Sequence, residues 1–290
     1  MSFRIFTSVV LAEWREEHGD AMAFIMVAAS TLLSGILAAY MNVAEQGADT
    51  VYITEVFGTR LYLSAVGMGV LLTGLIAGEV YVVSKMERTR SVAEGIVLFS
   101  FALLSGMLAL LFTQTFAYSY FPIGGGVLVL VVSAGVFISI YLTFLVLIGE
   151  YSEGMKNVLL LTFSGTIGAF FSLLIPTAGM VFVLLIVVSI DVLMTYIRAR
   201  QAGPEEPLKL SVTTGDWGVG MGDLIVFAMV TDKALVSAGI QGYLVSIGLL
   251  TAGFWGAMRL IRSGDHRLVP GTLLAALPAA LPIFFVVILR

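Results

Sequence analysis

Long apolar stretches follow one another along most of this chain, broken only by short clusters of charge, and that alternation decides which solvent the fold must satisfy. An α-helix of about 20 apolar residues crosses the roughly 30 Å hydrocarbon layer of a bilayer. Read with that window, the sequence predicts nine helices, near 21–43, 60–84, 92–113, 124–148, 157–175, 177–198, 216–235, 236–260 and 268–289. Of the 290 residues, 12% are charged. A soluble domain carries about a quarter, so this chain has too little polar surface to face water. The expectation is an all-α integral membrane protein in one polytopic domain over 1–290, with helices one to six across about 21–198, a linker at 201–215 and helices seven to nine across 216–289.

Orientation follows from the basic residues, which short loops hold on the cytoplasmic side. With nine spans, twelve of the 15 Lys and Arg residues fall on the side of the N-terminus, leaving Arg60, Lys233 and Arg290 on the other. This predicts a multi-pass cell-membrane protein with its N-terminus cytoplasmic and its C-terminus extracytoplasmic. The first 20 residues carry Glu13, Glu16, Glu17 and Asp20, unlike the basic start of a signal peptide. Phe3, Phe6, Val10 and Trp14 recur there at helical spacing, which predicts a retained amphipathic segment along the interface.

Composition closes several chemistries. With no cysteine there is no disulfide, thiolate metal site or cysteine nucleophile. The two histidines, His18 and His266, lie outside the predicted spans, so neither a His-Glu-x-x-His zinc site nor a membrane-embedded Ser-His pair can be built. A net charge of −4 with dispersed basic residues argues against nucleic acid as a partner.

Acidic residues inside apolar spans are costly unless paired, hydrated or neutralised, and each therefore needs a reason. Glu79, Asp191 and Asp223 fall in this class. Lys85 and Arg88 follow Glu79 closely, which favours a snorkelling or structural ion pair. Asp232 and Glu94 read as boundary residues. Asp191 precedes the expected end of helix six at Arg198 by about seven residues, and Asp223 follows the expected start of helix seven at Asp216 by a similar number, both about 10 Å inside the cytoplasmic boundary. On consecutive antiparallel helices, two carboxyls at one depth can face each other. Close like charges cannot both ionise easily, so such a pair shares one proton and offers a base and an acid together. The base takes a proton from water attacking a peptide carbonyl; the acid polarises that carbonyl and protonates the leaving nitrogen. No metal or organic cofactor is needed.

Asp223 closes the run Gly218-Val219-Gly220-Met221-Gly222-Asp223. On a helix, these glycines would bare one face to a neighbouring backbone or an extended substrate. The alternative is a small-residue packing seam, Gly218-x-x-x-Gly222. Gly220-Met221-Gly222-Asp223 resembles the Gly-x-Gly-Asp signature in the seventh helix of the presenilin and signal peptide peptidase family of intramembrane aspartyl proteases. The likeness continues through Leu224 to Val230 and on to Lys233-Ala234. In the sixth helix the family has Tyr-Asp, where this chain has Ile190-Asp191, while Tyr196 resembles a tyrosine of archaeal members. In the ninth helix, Leu277-Pro278-Ala279-Ala280-Leu281-Pro282 resembles the family's Pro-Ala-Leu segment, with either one alanine inserted or Ala279 replacing a proline.

The resemblance implies a presenilin-like fold, a catalytic pair Asp191 and Asp223 with Gly220, Met221 and Gly222 as the active-site motif, and substrate contacts from Pro278, Ala279, Ala280, Leu281 and Pro282. It implies as partners the lipid bilayer and single-pass transmembrane substrates, with their N-termini outside and cleavage near the cytoplasmic face. A second copy of the chain is a further candidate partner. It also implies strand pairing beside helix seven. Leu208-Lys209-Leu210-Ser211-Val212 alternates as a strand does, which makes Leu210 a candidate substrate-binding residue. Two other readings stand beside this one: a proton-coupled transporter, which also uses buried aspartates, and a prepilin-peptidase-like protease, which shares Gly-x-Gly-Asp but follows it with a basic residue.

Overall fold

The computed structural model describes residues 19–47, 152–200, 211–214, 217–262 and 272–289, with seven further helical positions between 127 and 141. In chain order these are helix α1 (Gly19–Gly47), α2 (Glu153–Leu174), α3 (Thr177–Arg200), strands β1 (Ser211–Thr214) and β2 (Trp217–Gly220), α4 (Met221–Arg262), a π-helical turn (Thr272–Ala276), the short α5 (Leu277–Ala279) and α6 (Leu281–Leu289). Nearly everything described is helical. Expectations for Glu79, Glu94, Leu210, the N-terminal segment and helices two and three lie outside the described residues.

Proline and glycine set the breaks. Pro176 disfavours helical geometry at Ile175 and ends α2; Ile175 is extended (φ −86°, ψ 126°), and Met180 N–H bonds back to Pro176 O at 2.8 Å as α3 begins. Gly239, with φ 69° and ψ −167°, interrupts α4 in a region of backbone space open essentially to glycine alone. The interruption reverses the chain. Phe227 and Phe254 would lie about 40 Å apart on a straight helix, yet their rings meet edge-to-face with centroids 6.5 Å apart. Thus α4 is two antiparallel arms, 221–238 and 240–262. The break expected at 235/236 therefore occurs, a few residues later, at Gly239.

The core forms where α1 and α2 pack against α4. Small residues bring the backbones close, as in membrane helix pairs. A Cβ on Gly168 would overlap that of Ala228, and one on Gly165 would lie 3.2 Å from Ser30 O. Phe163, Ile167, Leu224, Phe227 and Val230 fill the space between. The outward surface is apolar too: Ile25, Ile36, Phe182, Leu193, Leu244 and Phe285 are all exposed, as are Val127, Leu130, Phe137, Ile138 and Tyr141. An apolar surface of this extent is unfavourable in water and suits lipid. By length and composition, Glu153–Leu173 and the folded-back stretch Met221–Leu260 can cross a membrane.

Several sequence expectations change. Residues 217–220 are strand β2, not the first turn of helix seven, and pair antiparallel with β1 in the register Ser211↔Gly220, Val212↔Val219, Thr213↔Gly218 and Thr214↔Trp217. Of the strand expected at Leu208–Val212, Ser211 and Val212 fall in β1, which runs on to Thr214, while 208–210 lie outside the described residues; the strand pair packs on α1 and α2 with Val212 buried. Asp232 is not a boundary residue but fully buried, and Lys233 is buried beside it instead of lying in an external loop. The final helix, expected as one segment over 268–289, is broken into the π-turn, α5 and α6 around Pro278 and Pro282. Each proline lacks an N–H and so frees a carbonyl one turn earlier.

Candidate active site

Asp223 lies in the first turn of α4, three residues beyond β2. This differs from the expected place two turns inside a helix, and it changes how the glycines act. Gly218 and Gly220 alternate on a strand, so they bare one face of β2 rather than one face of a helix. A Cβ on Gly220 would sit 3.4 Å from Asp223 Oδ2, so the carboxylate leans over a residue with no side chain. A Cβ on Gly222 would meet nothing within 4 Å. Met221 and Leu224, on either side, are buried and anchor the turn, while Asp223 stays partly exposed.

Asp191 sits on α3, nine residues before its end at Arg200, and is likewise partly exposed. It follows Val188, which is buried, and precedes Val192 and Leu193, which are exposed, so it lies at the margin between core and surface. α3 packs against α4, against the π-turn and against α6. α3 thus touches α4, whose first arm carries Asp223, and both touch the proline-broken final segment.

Within that segment the residues divide by exposure. Ala279, Ala280 and Pro282 are buried, Pro278 is half-buried, and Leu281 is 43% exposed. The helical ladder is rearranged here. Ala280 N–H bonds Ala276 O at 3.1 Å, and Ile283 and Phe284 N–H both bond Ala280 O, at 2.9 and 3.1 Å. Ala279 O instead accepts the Ser246 hydroxyl at 2.7 Å, from the second arm of α4.

At the far end of the first arm several polar groups find partners on other helices, while Asp232 Oδ2 is buried with no hydrogen-bond partner among the described residues. Lys233 Nζ donates to Ser172 O at 3.0 Å and Ile175 O at 2.6 Å, capping the C-terminal carbonyls of α2 with a cation. Ser34 Oγ on α1 lies 3.1 Å from Asp232 Oδ1 and 2.9 Å from Thr31 O, so its single proton serves one of two acceptors at a time. Tyr243, from the second arm, donates to the same Thr31 O at 2.8 Å, in space that Gly35 leaves open. Asp232, Lys233 and Ser246 were not singled out for these roles from the sequence. Only the small-residue spacing of Gly242, Ser246 and Gly253 could have flagged the last.

No protein-family model and no curated protein matches the chain. Among solved structures, it is similar to one described as a presenilin family intramembrane aspartate protease, with 15% sequence identity and a TM-score of 0.57 over 92% of this chain and 99% of that one. At that identity the likeness speaks for the fold: this chain is a helical membrane protein with a presenilin-like fold.

Proposed function

We propose that this protein is an intramembrane aspartyl protease that hydrolyses peptide bonds of transmembrane helical substrates with Asp191 and Asp223. One observation carries the reading: Asp223 stands partly open in the first turn of α4, over the bare face of β2, and α4 touches α3, which bears Asp191. Asp232, on the same arm as Asp223, is fully buried, whereas Asp191 and Asp223 are both partly exposed. The fold likeness to a presenilin family protease supports the same assignment.

A helical peptide bond is shielded by its own hydrogen bonds, so hydrolysis within a bilayer requires the substrate to unwind first. A two-stranded hairpin has an outer edge on each strand, and an unwound substrate segment can add to one by main-chain hydrogen bonding. The glycines of β2 let backbone approach Asp223 closely. In the final segment, Pro278 and Leu281 are the residues offered to substrate, while Ala279, Ala280 and Pro282 seat the segment against α4. The first-turn N–H groups of α4 suit a carboxylate at Asp223, which gives it the base role toward water and leaves Asp191 to protonate the leaving nitrogen. The proposed orientation has the N-terminus in the cytoplasm, so cleavage falls near the cytoplasmic face of a substrate whose own N-terminus is outside.

The test is reconstitution of the purified protein with a model single-pass substrate, followed by detection of peptide fragments. Asp191→Asn and Asp223→Asn each abolish cleavage while the protein keeps its melting behaviour. Substantial turnover by either variant sinks the dyad, and solute movement without fragments points to a transporter.

A further inference from the structure

Prolines at 278 and 282 break the last helix, and a broken helix in a membrane protein holds one shape only if its freed carbonyls find partners. The second arm of α4 supplies the surface on which this happens. Gly242, Ser246, Leu250, Gly253 and Ala257 recur at spacings of three and four, which places them on one helical face. That face receives the broken segment at three levels. A Cβ on Gly253 would overlap Leu274 O and lie 2.8 Å from Ala275 Cα; Ser246 donates to Ala279 O at 2.7 Å; and a Cβ on Gly242 would stand 3.6 Å from Pro282 Cβ. Ser246 and Ala279 are both 0% exposed. Leu274 O is the carbonyl that Pro278 releases, since a helical bond to it would need the missing N–H. Ala279 O is turned from its own helix because Ile283 N–H goes to Ala280 O.

At the outer levels the contacts are steric, set by glycines that could only loosen or clash. The middle level is a directed hydrogen bond, and it fixes the rotation of the segment about its axis. The same segment touches α3, the helix that bears Asp191, through the π-turn and α6. We propose that Ser246 is a positioning residue of the protease, holding the 277–282 segment in its substrate-facing orientation through Ala279 O. The inference rests on the protease reading given above.

The test compares four proteins in nanodiscs: wild type, Ser246→Ala, Ser246→Thr and Ser246→Val. Threonine and valine have nearly the same shape, so their difference isolates the hydroxyl from the packing. Two readouts are taken, hydrogen–deuterium exchange over 279–286 and the KM and kcat for a model transmembrane substrate. Ser246→Ala and Ser246→Val should raise exchange about tenfold and raise KM by about the same factor with kcat within about twofold of wild type. Ser246→Thr should remain near wild type in both. A role in folding alone lowers kcat through a smaller active fraction and leaves KM alone, and that pattern overturns the proposal. So does exchange that is the same in the Thr and Val variants. A wild type that cuts no substrate ends the protease reading and with it the substrate role, while the exchange comparison still decides whether Ser246 holds the segment.

Discussion

The first arm of α4 carries an aspartate near each end, and the two could hardly be treated more differently. Asp232 is 0% exposed, shares Ser34 with a backbone carbonyl, and sits next to a lysine whose ammonium caps another helix. Asp223, nine residues earlier, stands partly open over a glycine-bared strand with open space at Gly222. Acidic residues of equal intrinsic chemistry thus tie helices together at one end and stand partly open at the other. Presence of a carboxyl within a span therefore says little; what distinguishes a reactive one is the space left around it.

That contrast can be broken most directly by neutral isosteres. Asp223→Asn should cut proteolysis by about a thousandfold or more, whereas Asp232→Asn, whose amide can still meet Ser34, should leave cleavage within a few-fold of wild type when both are assayed on one transmembrane substrate. Equal losses would mean that the buried end is chemically engaged as well. Next in size is Lys233→Met. It leaves two buried carbonyls at the end of α2 without their cation, and should lower stability by about 2–3 kcal/mol, read as a lowered melting temperature in detergent. Ser34→Ala removes the donor to Asp232 and should cost about 1–2 kcal/mol by the same measurement, an effect that should shrink in an Asp232→Leu background if the pair is coupled. Smallest in stability is Gly222→Ala: a methyl there meets nothing, so the melting temperature should hold while turnover drops about tenfold. Unchanged turnover would show that the open face beside Asp223 is not where substrate lies.

Much of the helical frame was legible from the chain itself. Runs of apolar residues located α1, α2, α3 and the two arms of α4, because the length of a bilayer-spanning helix is set by the solvent and not by packing detail. Pro176 and Gly239 act through their own backbone geometry, and breaks close to both are legible locally, whereas the last helix reads as one segment over 268–289 and is found broken around Pro278 and Pro282. The start of α4 was not legible either. Trp217-Gly218-Val219-Gly220 is an apolar stretch too short for periodicity to separate strand from helix, and its state is decided by pairing with Ser211–Thr214. Asp232 and Lys233 were misread for a similar reason. A charged pair near a span end looks like a boundary, yet its partners, Ser34, Ser172 and Ile175, lie 198, 61 and 58 residues away along the chain. Of the candidate site, the motif Gly220-Met221-Gly222-Asp223 was visible as sequence, while the anchoring of the proline segment by Ser246 was not, since it joins residues 33 apart.

The one-residue reversal at Gly239 has a consequence for how this protein tolerates change. With no slack between the limbs, their relative phase is set by residue count alone, much as two gears on a shared shaft keep their timing. Adding a single residue just after Gly239 would advance the second limb by roughly 100°, swinging Ser246 off Ala279 while leaving Asp223 where it is. Insertions here should be far less forgiven than substitutions, and a library of one-residue insertions along 236–242 would reveal that asymmetry as a sharp trough in function.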